Sequence, residues 1–104
     1  MTVFQRIGRP HIAVSRQLLP PIEARMAELF DCRFNEDDRP LSANAMIAAM
    51  QGCDIFVPTV TDTIDKALIE AMPASLKLIA NFGAGVDHID LAAAKTKGIL
   101  VTNT

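Results

Sequence analysis

Short apolar runs alternate along this chain with segments in which apolar residues recur at helical spacing. The short runs predict buried strands, and the periodic segments predict helices that pack against them. Regular alternation of this kind favours an α/β fold built on a parallel sheet. The predicted strands are 11–15, 32–34, 54–57, 77–81 and 99–101.

Capping and turn residues set the expected ends of the helices. Pro20-Pro21 predicts a helix start, because proline is tolerated where no intrahelical amide bond is needed. Ser42 and Asp90 are suited to cap two later helices, and Gly98 is suited to end the last one. The first helix is expected to bury Ile22, Met26, Leu29 and Phe30. The third is expected to carry Ile64, Leu68, Ile69 and Met72 on one face.

Five strands with intervening helices predict a flavodoxin-like parallel five-stranded sheet with helices on both faces, in the order 2-1-3-4-5. The length of 104 residues fits one domain. In such a sheet, ligands are expected beyond the carboxyl ends of the strands. Those ends carry Ser15, residues 59–62 and residues 81–87.

Composition and charge narrow the classes of partner. The formal net charge of −2 does not suit a polyanion, so no nucleic-acid partner is expected. No apolar run approaches the roughly 20 residues that a bilayer requires, and residues 1–6 lack the apolar core of a signal peptide. We therefore expect no membrane association and a cytoplasmic location. Cys32 and Cys53 lack the paired spacing of a metal or redox site and are expected to be free thiols.

The candidate chemistry lies in the Gly83-Ala84-Gly85 turn that follows the fourth strand. The turn begins like a dinucleotide fingerprint, but His88 stands at the third glycine position and no acidic residue follows about 20 residues later. We therefore expect no cofactor to be bound by this domain alone. The backbone amides of Ala84 and Gly85 can instead hold a carboxylate as a small nest of donors. A glycine-rich turn without any ligand remains the alternative from the residues alone.

Residues 76–90 and 97–104 resemble the D-isomer-specific 2-hydroxyacid dehydrogenases, and among them the glyoxylate and hydroxypyruvate reductases. The resemblance is carried by the Gly-Ala-Gly-Val-Asp-His loop and by the terminal Val-Thr-Asn-Thr. In that family, a substrate-binding domain of flavodoxin type packs against a Rossmann domain, with the substrate between them. The resemblance implies NAD or NADP in the parent enzyme, a small 2-keto or 2-hydroxy acid as ligand, and a homodimeric parent.

The resemblance also implies roles for individual residues. Ala84 and Gly85 are expected to bind the substrate carboxylate through their backbone N–H groups. Asn81 stands where some relatives carry an arginine, and its amide is expected to contact the substrate. Thr61, in the loop 59–62, is expected to line the same cleft. His88 is expected to have a structural role, such as a hydrogen bond at the helix entry.

The resemblance places no catalytic residue in this chain. Residues 1–104 are expected to be the N-terminal part of the substrate-binding domain. The Rossmann domain, the catalytic arginine, the glutamate–histidine pair and a returning C-terminal helix are all expected beyond Thr104. The chain alone is therefore expected to be inactive.

A second hypothesis is a self-standing flavodoxin-like module that binds a small acid without catalysis. A receiver domain is disfavoured, because Ser15-Arg16 and Val57-Pro58-Thr59 lack the acidic residues that it requires. A flavin site is disfavoured because residues 16–21 do not form a hydroxyl-rich phosphate loop. The small-acid binder remains open.

Overall fold

Five parallel strands organise the chain, for which the computed structural model describes residues 10–35, 41–59, 62–82, 85 and 87–103. The strands are β1 (His11–Val14), β2 (Asp31–Arg33), β3 (Ile55–Val57), β4 (Leu78–Asn81) and β5 (Leu100–Asn103). They lie in the order β2-β1-β3-β4-β5, and each neighbouring pair is parallel. The predicted α/β class, the five-stranded parallel sheet and its strand order are confirmed.

Helices cover both faces of this sheet in the described part of the chain, as predicted. They are α1 (Pro20–Leu29), α2 (Ala43–Met50), α3 (Lys66–Ala71) and α4 (Leu91–Lys97). Successive residues of a strand point to opposite faces, and the two hydrophobic clusters divide β1 in this way. Ile12 and Val14 pack with α1, whereas Ala13 packs with α2, α3 and α4.

The larger hydrophobic cluster lies between the sheet and α2, α3 and α4. Phe56 and Ile79 provide its fully buried centre from β3 and β4. The smaller cluster, under α1, is less enclosed, since α1 contributes no fully buried residue. The larger cluster therefore provides most of the apolar burial that holds the sheet together.

Side-chain oxygens begin three of the described helices as capping chemistry predicts. Ser42, Asp65 and Asp90 each accept a hydrogen bond from the backbone N–H three residues later, at 2.9–3.2 Å. Asp65 was not among the expected caps. The helix α4 ends at Gly98, whose φ of 80° is the left-handed conformation that glycine adopts readily.

Two long cationic side chains close the carboxyl ends of helices. Arg33 Nη1 donates to the carbonyls of Ala49 and Gln51, at 2.8 and 2.6 Å, where α2 ends. Lys97 Nζ donates in the same way to two backbone carbonyls at the end of α3, at 2.8 and 2.7 Å. These carbonyls have no intrahelical partner, so the cations satisfy them and favour the local helix dipole.

Some predicted boundaries and core residues need correction. Ile64 lies before α3 rather than in it, and it forms an isolated parallel bridge with Ile89. Leu29 is 46% exposed and is the last residue of α1, two residues before β2 begins. Strand β1 ends at Val14 rather than Ser15, and β5 extends to Asn103.

The two cysteines are free thiols, as predicted: Cys53 is buried and Cys32 is half-buried. Burial raises the pKa of both thiols, and the nearby Asp31 carboxylate raises the pKa of Cys32 further. None of the helices in the described ranges has the length and hydropathy that a membrane crossing requires.

Truncation of Ile79 should be far more costly than truncation of Leu100 on the adjacent strand. Ile79 is fully buried and Leu100 is 71% exposed. We expect Ile79→Ala to lower the free energy of unfolding by about 2–5 kcal/mol, through lost burial and the cavity left behind. Leu100→Ala should change it by no more than about 0.5 kcal/mol. Urea denaturation measures both, and equal effects would contradict the assignment of the core.

The raised thiol pKa values predict a loss of stability at alkaline pH. The folded chain holds the thiol protons more tightly than the unfolded chain does, so unfolding releases protons near and above about pH 8.5. The stabilisation is complete below that pH and is lost as the pH rises towards the folded pKa values. We expect urea midpoints to fall less between neutral and alkaline pH in a Cys32→Ala/Cys53→Ala variant. An equal fall of the urea midpoint in the wild-type chain and in the variant would contradict this prediction.

Candidate functional site

The carboxyl edge of the sheet brings together polar residues that follow different strands. Ser15 follows β1, Thr59 follows the end of β3, and Asn81 is the last residue of β4. The residues that follow β3 and β4 are still adjacent beyond the strands, since Phe82 N donates to the carbonyl of Pro58 at 2.9 Å. This edge is where ligands are expected in an open parallel sheet.

A buried carboxylate ties the ends of two strands together. Asp62 is only 3% exposed and accepts hydrogen bonds from the Ser15 hydroxyl and from Thr59 N, the latter at 2.8 Å. Asn35 Nδ2 donates to the Ser15 carbonyl at 2.8 Å and so joins the residues after β2. We call these four residues the Asp62 network. Its carboxylate is used within the chain and fixes the start of the loop 59–62.

A second polar group closes the loop after β4. Asn81 is fully buried, and its Nδ2 donates to the carbonyl of Gly85 at 2.8 Å. Its Oδ1 lies 2.8 Å from Nε2 of the half-buried His88. Since the amide oxygen can only accept, the imidazole donates from Nε2. The buried amide therefore connects two points of the loop to the end of a central strand.

Gly85 lies on the surface of this loop with its backbone accessible. No described atom lies within 4 Å of a Cβ built on Gly85, and its φ is outside the left-handed region. Within the described ranges, no residue accepts a hydrogen bond from the Gly85 N–H. Neither crowding nor backbone conformation in the described surroundings therefore requires glycine at this position.

The predicted site residues have different positions. Gly85 is exposed at the carboxyl edge, whereas the Asn81 side chain has no exposed surface and is hydrogen-bonded within the chain. Ala84 and Thr61 lie outside the described residues. The described residues on either side of Thr61 belong to the same edge, because Thr59 bridges Phe82.

Sequence reasoning placed Ser15 and residues 59–62 at this edge but did not identify the Asp62 network. The available signal was a carboxylate three residues after Thr59, a spacing that lets it accept the N–H of the earlier residue. His88 was expected to support the helix entry. Its imidazole makes an internal hydrogen bond, to Asn81, and it is Asp90 that caps α4, while Asp87 lies in the preceding turn.

The start of α4 does not fit the phosphates of a dinucleotide. The Asp90 carboxylate accepts from Ala93 N at 3.0 Å, so an anionic group already occupies the helix entry. His88 fills the position where the fingerprint requires a small residue, and its imidazole is engaged with Asn81. In the described parts of the chain, no three His, Cys, Asp or Glu side chains are grouped to hold a metal ion.

A surface groove of about 490 Å³ lies between α3 and α4. The groove is lined by two cationic residues, Lys66 and Lys97, and by two acidic residues, Glu70 and Asp90. It therefore does not select a ligand of one sign of charge. The ammonium of Lys97 is already bonded to backbone carbonyls. The groove is therefore a weaker candidate for an anionic ligand than the loop after β4.

Comparison with known proteins identifies a family match over most of the chain. The family model for the D-isomer specific 2-hydroxyacid dehydrogenase catalytic domain matches residues 12–104. A glyoxylate reductase of Korarchaeum cryptofilum is 33% identical over 96 residues, which are 92% of this chain and 29% of the relative.

Solved structures of longer proteins share the fold. A crystal structure from Polaromonas sp. JS6 66, described as a D-isomer specific 2-hydroxyacid dehydrogenase, superposes with a TM-score of 0.85 at 32% identity, over 90% of this chain and 30% of its own. An NADPH-dependent glyoxylate/hydroxypyruvate reductase from Sinorhizobium meliloti, in complex with NADP and malonate, gives 0.72 at 31% identity, over 93% and 28%. The chain thus spans about three tenths of the length of these relatives.

Removal of the Asp62 carboxylate should destabilise the chain by leaving buried donors without an acceptor. We expect Asp62→Ala to lower the free energy of unfolding by about 1–3 kcal/mol. Ser15→Ala removes one donor and leaves the carboxylate with Thr59, so it should cost less. A double-mutant cycle in urea measures the coupling. Strict additivity of the two variants would contradict the hydrogen bond between Ser15 and Asp62.

Proposed function

The chain belongs to the D-isomer specific 2-hydroxyacid dehydrogenase family, and from that membership we propose that it is the substrate-binding part of an oxidoreductase. The reaction is the NAD(P)H-dependent interconversion of small 2-keto acids and D-2-hydroxy acids. The matched relatives include proteins named as reductases of glyoxylate and of hydroxypyruvate. The ligand class of this chain is accordingly a small acid with an oxygen on the carbon next to its carboxylate.

The observation that carries the proposal is the surface position of Gly85. Its N–H is not used by the described residues, and a side chain there would meet no described atom within 4 Å. The described part of the fold leaves room for a side chain at this position. The absence of one therefore suits the close approach of a ligand to the backbone. A backbone N–H that no described residue accepts can donate to a carboxylate.

The proposal divides the site between two loops. The amides of Ala84 and Gly85 bind the substrate carboxylate, and Thr61 lines the opposite side of the cleft. The Asp62 network supports this arrangement, because it joins Asp62 to Thr59, which bridges Phe82 at the end of β4. We assign no proton transfer to His88, since its Nε2 is engaged with Asn81.

We place cofactor binding in the part of the longer relatives that this chain does not span. The Asp90 carboxylate caps the entry to α4, where its negative charge disfavours a phosphate. The bound nicotinamide would supply hydride to the substrate carbon, while this chain holds the carboxylate and orients the acid. The parent enzyme is proposed to be a cytoplasmic homodimer.

Replacement of Gly85 by alanine tests the carboxylate site without disturbing the fold. We expect D-glycerate to raise the urea midpoint of the 104-residue chain, because a ligand that binds only the folded state stabilises it. Gly85→Ala should leave the midpoint without ligand nearly unchanged and reduce the shift that D-glycerate causes. The added methyl group projects into open space, where we place the ligand.

Glycerol is the matched control, since it has the same carbon skeleton without the carboxylate. It should cause no midpoint shift at the same low concentration. A shift that survives Gly85→Ala, or an equal shift with glycerol, would overturn the proposed site. The division of labour is tested separately: the chain with glyoxylate and NADPH should show no NADPH oxidation, and turnover would contradict it.

A further inference from the structure

Asn81 was expected to contact the substrate, yet its side chain lies wholly below the surface of the carboxyl edge. It is held firmly in place, because it pairs in register with Asn103 at the end of β4, between β3 and β5. A fully buried amide must satisfy its polar atoms within the chain. It bonds to Gly85 and His88, which both belong to the loop that carries the proposed carboxylate site.

The bond from Asn81 to Gly85 has an electrostatic consequence for this loop. A carbonyl oxygen carries partial negative charge and repels a carboxylate, whereas an N–H group attracts it. Asn81 Nδ2 draws the Gly85 carbonyl towards the interior at 2.8 Å. The oxygen is thereby kept from the surface at which an anionic ligand would bind.

The Gly85 carbonyl determines which end of the Asn81 amide faces it, because a carbonyl oxygen can only accept, and donation from His88 holds the other end. If the amide were reversed, its oxygen would face the Gly85 carbonyl oxygen, and neither atom can donate. Donation from His88 Nε2 to Oδ1 favours the orientation that directs Nδ2 to Gly85. The two hydrogen bonds are therefore coupled through one rigid planar group.

We propose that His88 and Asn81 are a pair of positioning residues that turn the Gly85 carbonyl away from the ligand and so tune the loop for carboxylate binding. This inference rests on the proposed function for the role of the loop. It assigns His88 a part in ligand affinity without contact with the ligand. It also specifies the tautomer of His88, which carries its proton on Nε2 when the ring is neutral.

Variants at His88 test the affinity without altering a fully buried residue. We expect His88→Ala to weaken D-glycerate binding by roughly threefold to tenfold, the change that corresponds to the loss of one hydrogen bond. His88→Gln retains an N–H that can reach Asn81 Oδ1 and should restore most of the affinity. His11→Ala is the matched control, because His11 is the first residue of β1 and lies at the amino ends of the strands, away from the carboxyl edge.

Asn81→Asp separates the two bonds. The carboxylate still accepts from His88 but cannot donate to the Gly85 carbonyl, so ligand binding should be weakened even though the His88 contact persists. If this variant does not fold, the His88 pair still decides the question. Unchanged affinity in His88→Ala, or equal weakening in His88→Ala and His88→Gln, would overturn the proposal.

A measurement without ligand keeps this inference distinct from the proposed function. Long-range ¹H–¹⁵N spectra of the unliganded chain should show His88 protonated on Nε2 at a pH where the ring is neutral. A larger shift of the Gly85 carbonyl ¹³C resonance in His88→Ala than in His88→Gln should accompany it, because that oxygen accepts from Asn81. A neutral Nδ1–H tautomer would overturn the positioning role. If the wild-type chain does not bind D-glycerate, the proposed function fails while these two readouts still test the positioning pair.

Discussion

The organisation of the carboxyl edge depends on a single constraint, which is that polar groups buried where parallel strands end must find partners within the chain. Parallel strands all end at the same side of the sheet, so these needs are concentrated in one place. Asp62 meets them after β1 and β3, and Asn81 meets them after β4. Both side chains are buried, and both fix a loop to a strand end.

In the proposed function, this arrangement lets the loop after β4 bind an anion through the backbone rather than through a cationic side chain. The buried amide of Asn81 holds the Gly85 carbonyl, and Gly85 leaves its own N–H without a partner among the described residues. The balance of partial charges at the loop is thereby shifted towards donors. The cationic side chains Arg33 and Lys97 instead satisfy the carbonyls at the ends of α2 and α3.

Much of the fold could be predicted from the sequence, because it is encoded locally. Apolar runs predicted the strands, and Ser42, Asp90 and Gly98 marked helix ends through chemistry that acts within a few residues. Ile64 was misplaced because its apolar spacing continues that of α3, although it bridges Ile89. That pairing joins distant residues and leaves no local signal.

The site was predictable to a lesser degree. Gly85 could be proposed from its turn, but the interior position of Asn81 depends on the central strand to which it belongs. The contact between Ser15 and Asp62 spans 47 residues and arises only when β1 and β3 become neighbours. Polar residues at strand ends indicate where a site lies; tertiary structure decides which of them face the ligand.

The most direct measurement is a residue-resolved NMR titration of the ¹⁵N-labelled chain with D-glycerate, with glycerol as the neutral control. Carboxylate binding by the loop after β4 predicts a saturable change of the Gly85 amide resonance with D-glycerate alone. It also predicts little change at Lys66 and Lys97 in the groove between α3 and α4. Saturable changes confined to that groove, with the Gly85 resonance unmoved, would contradict a carboxylate site at the end of β4.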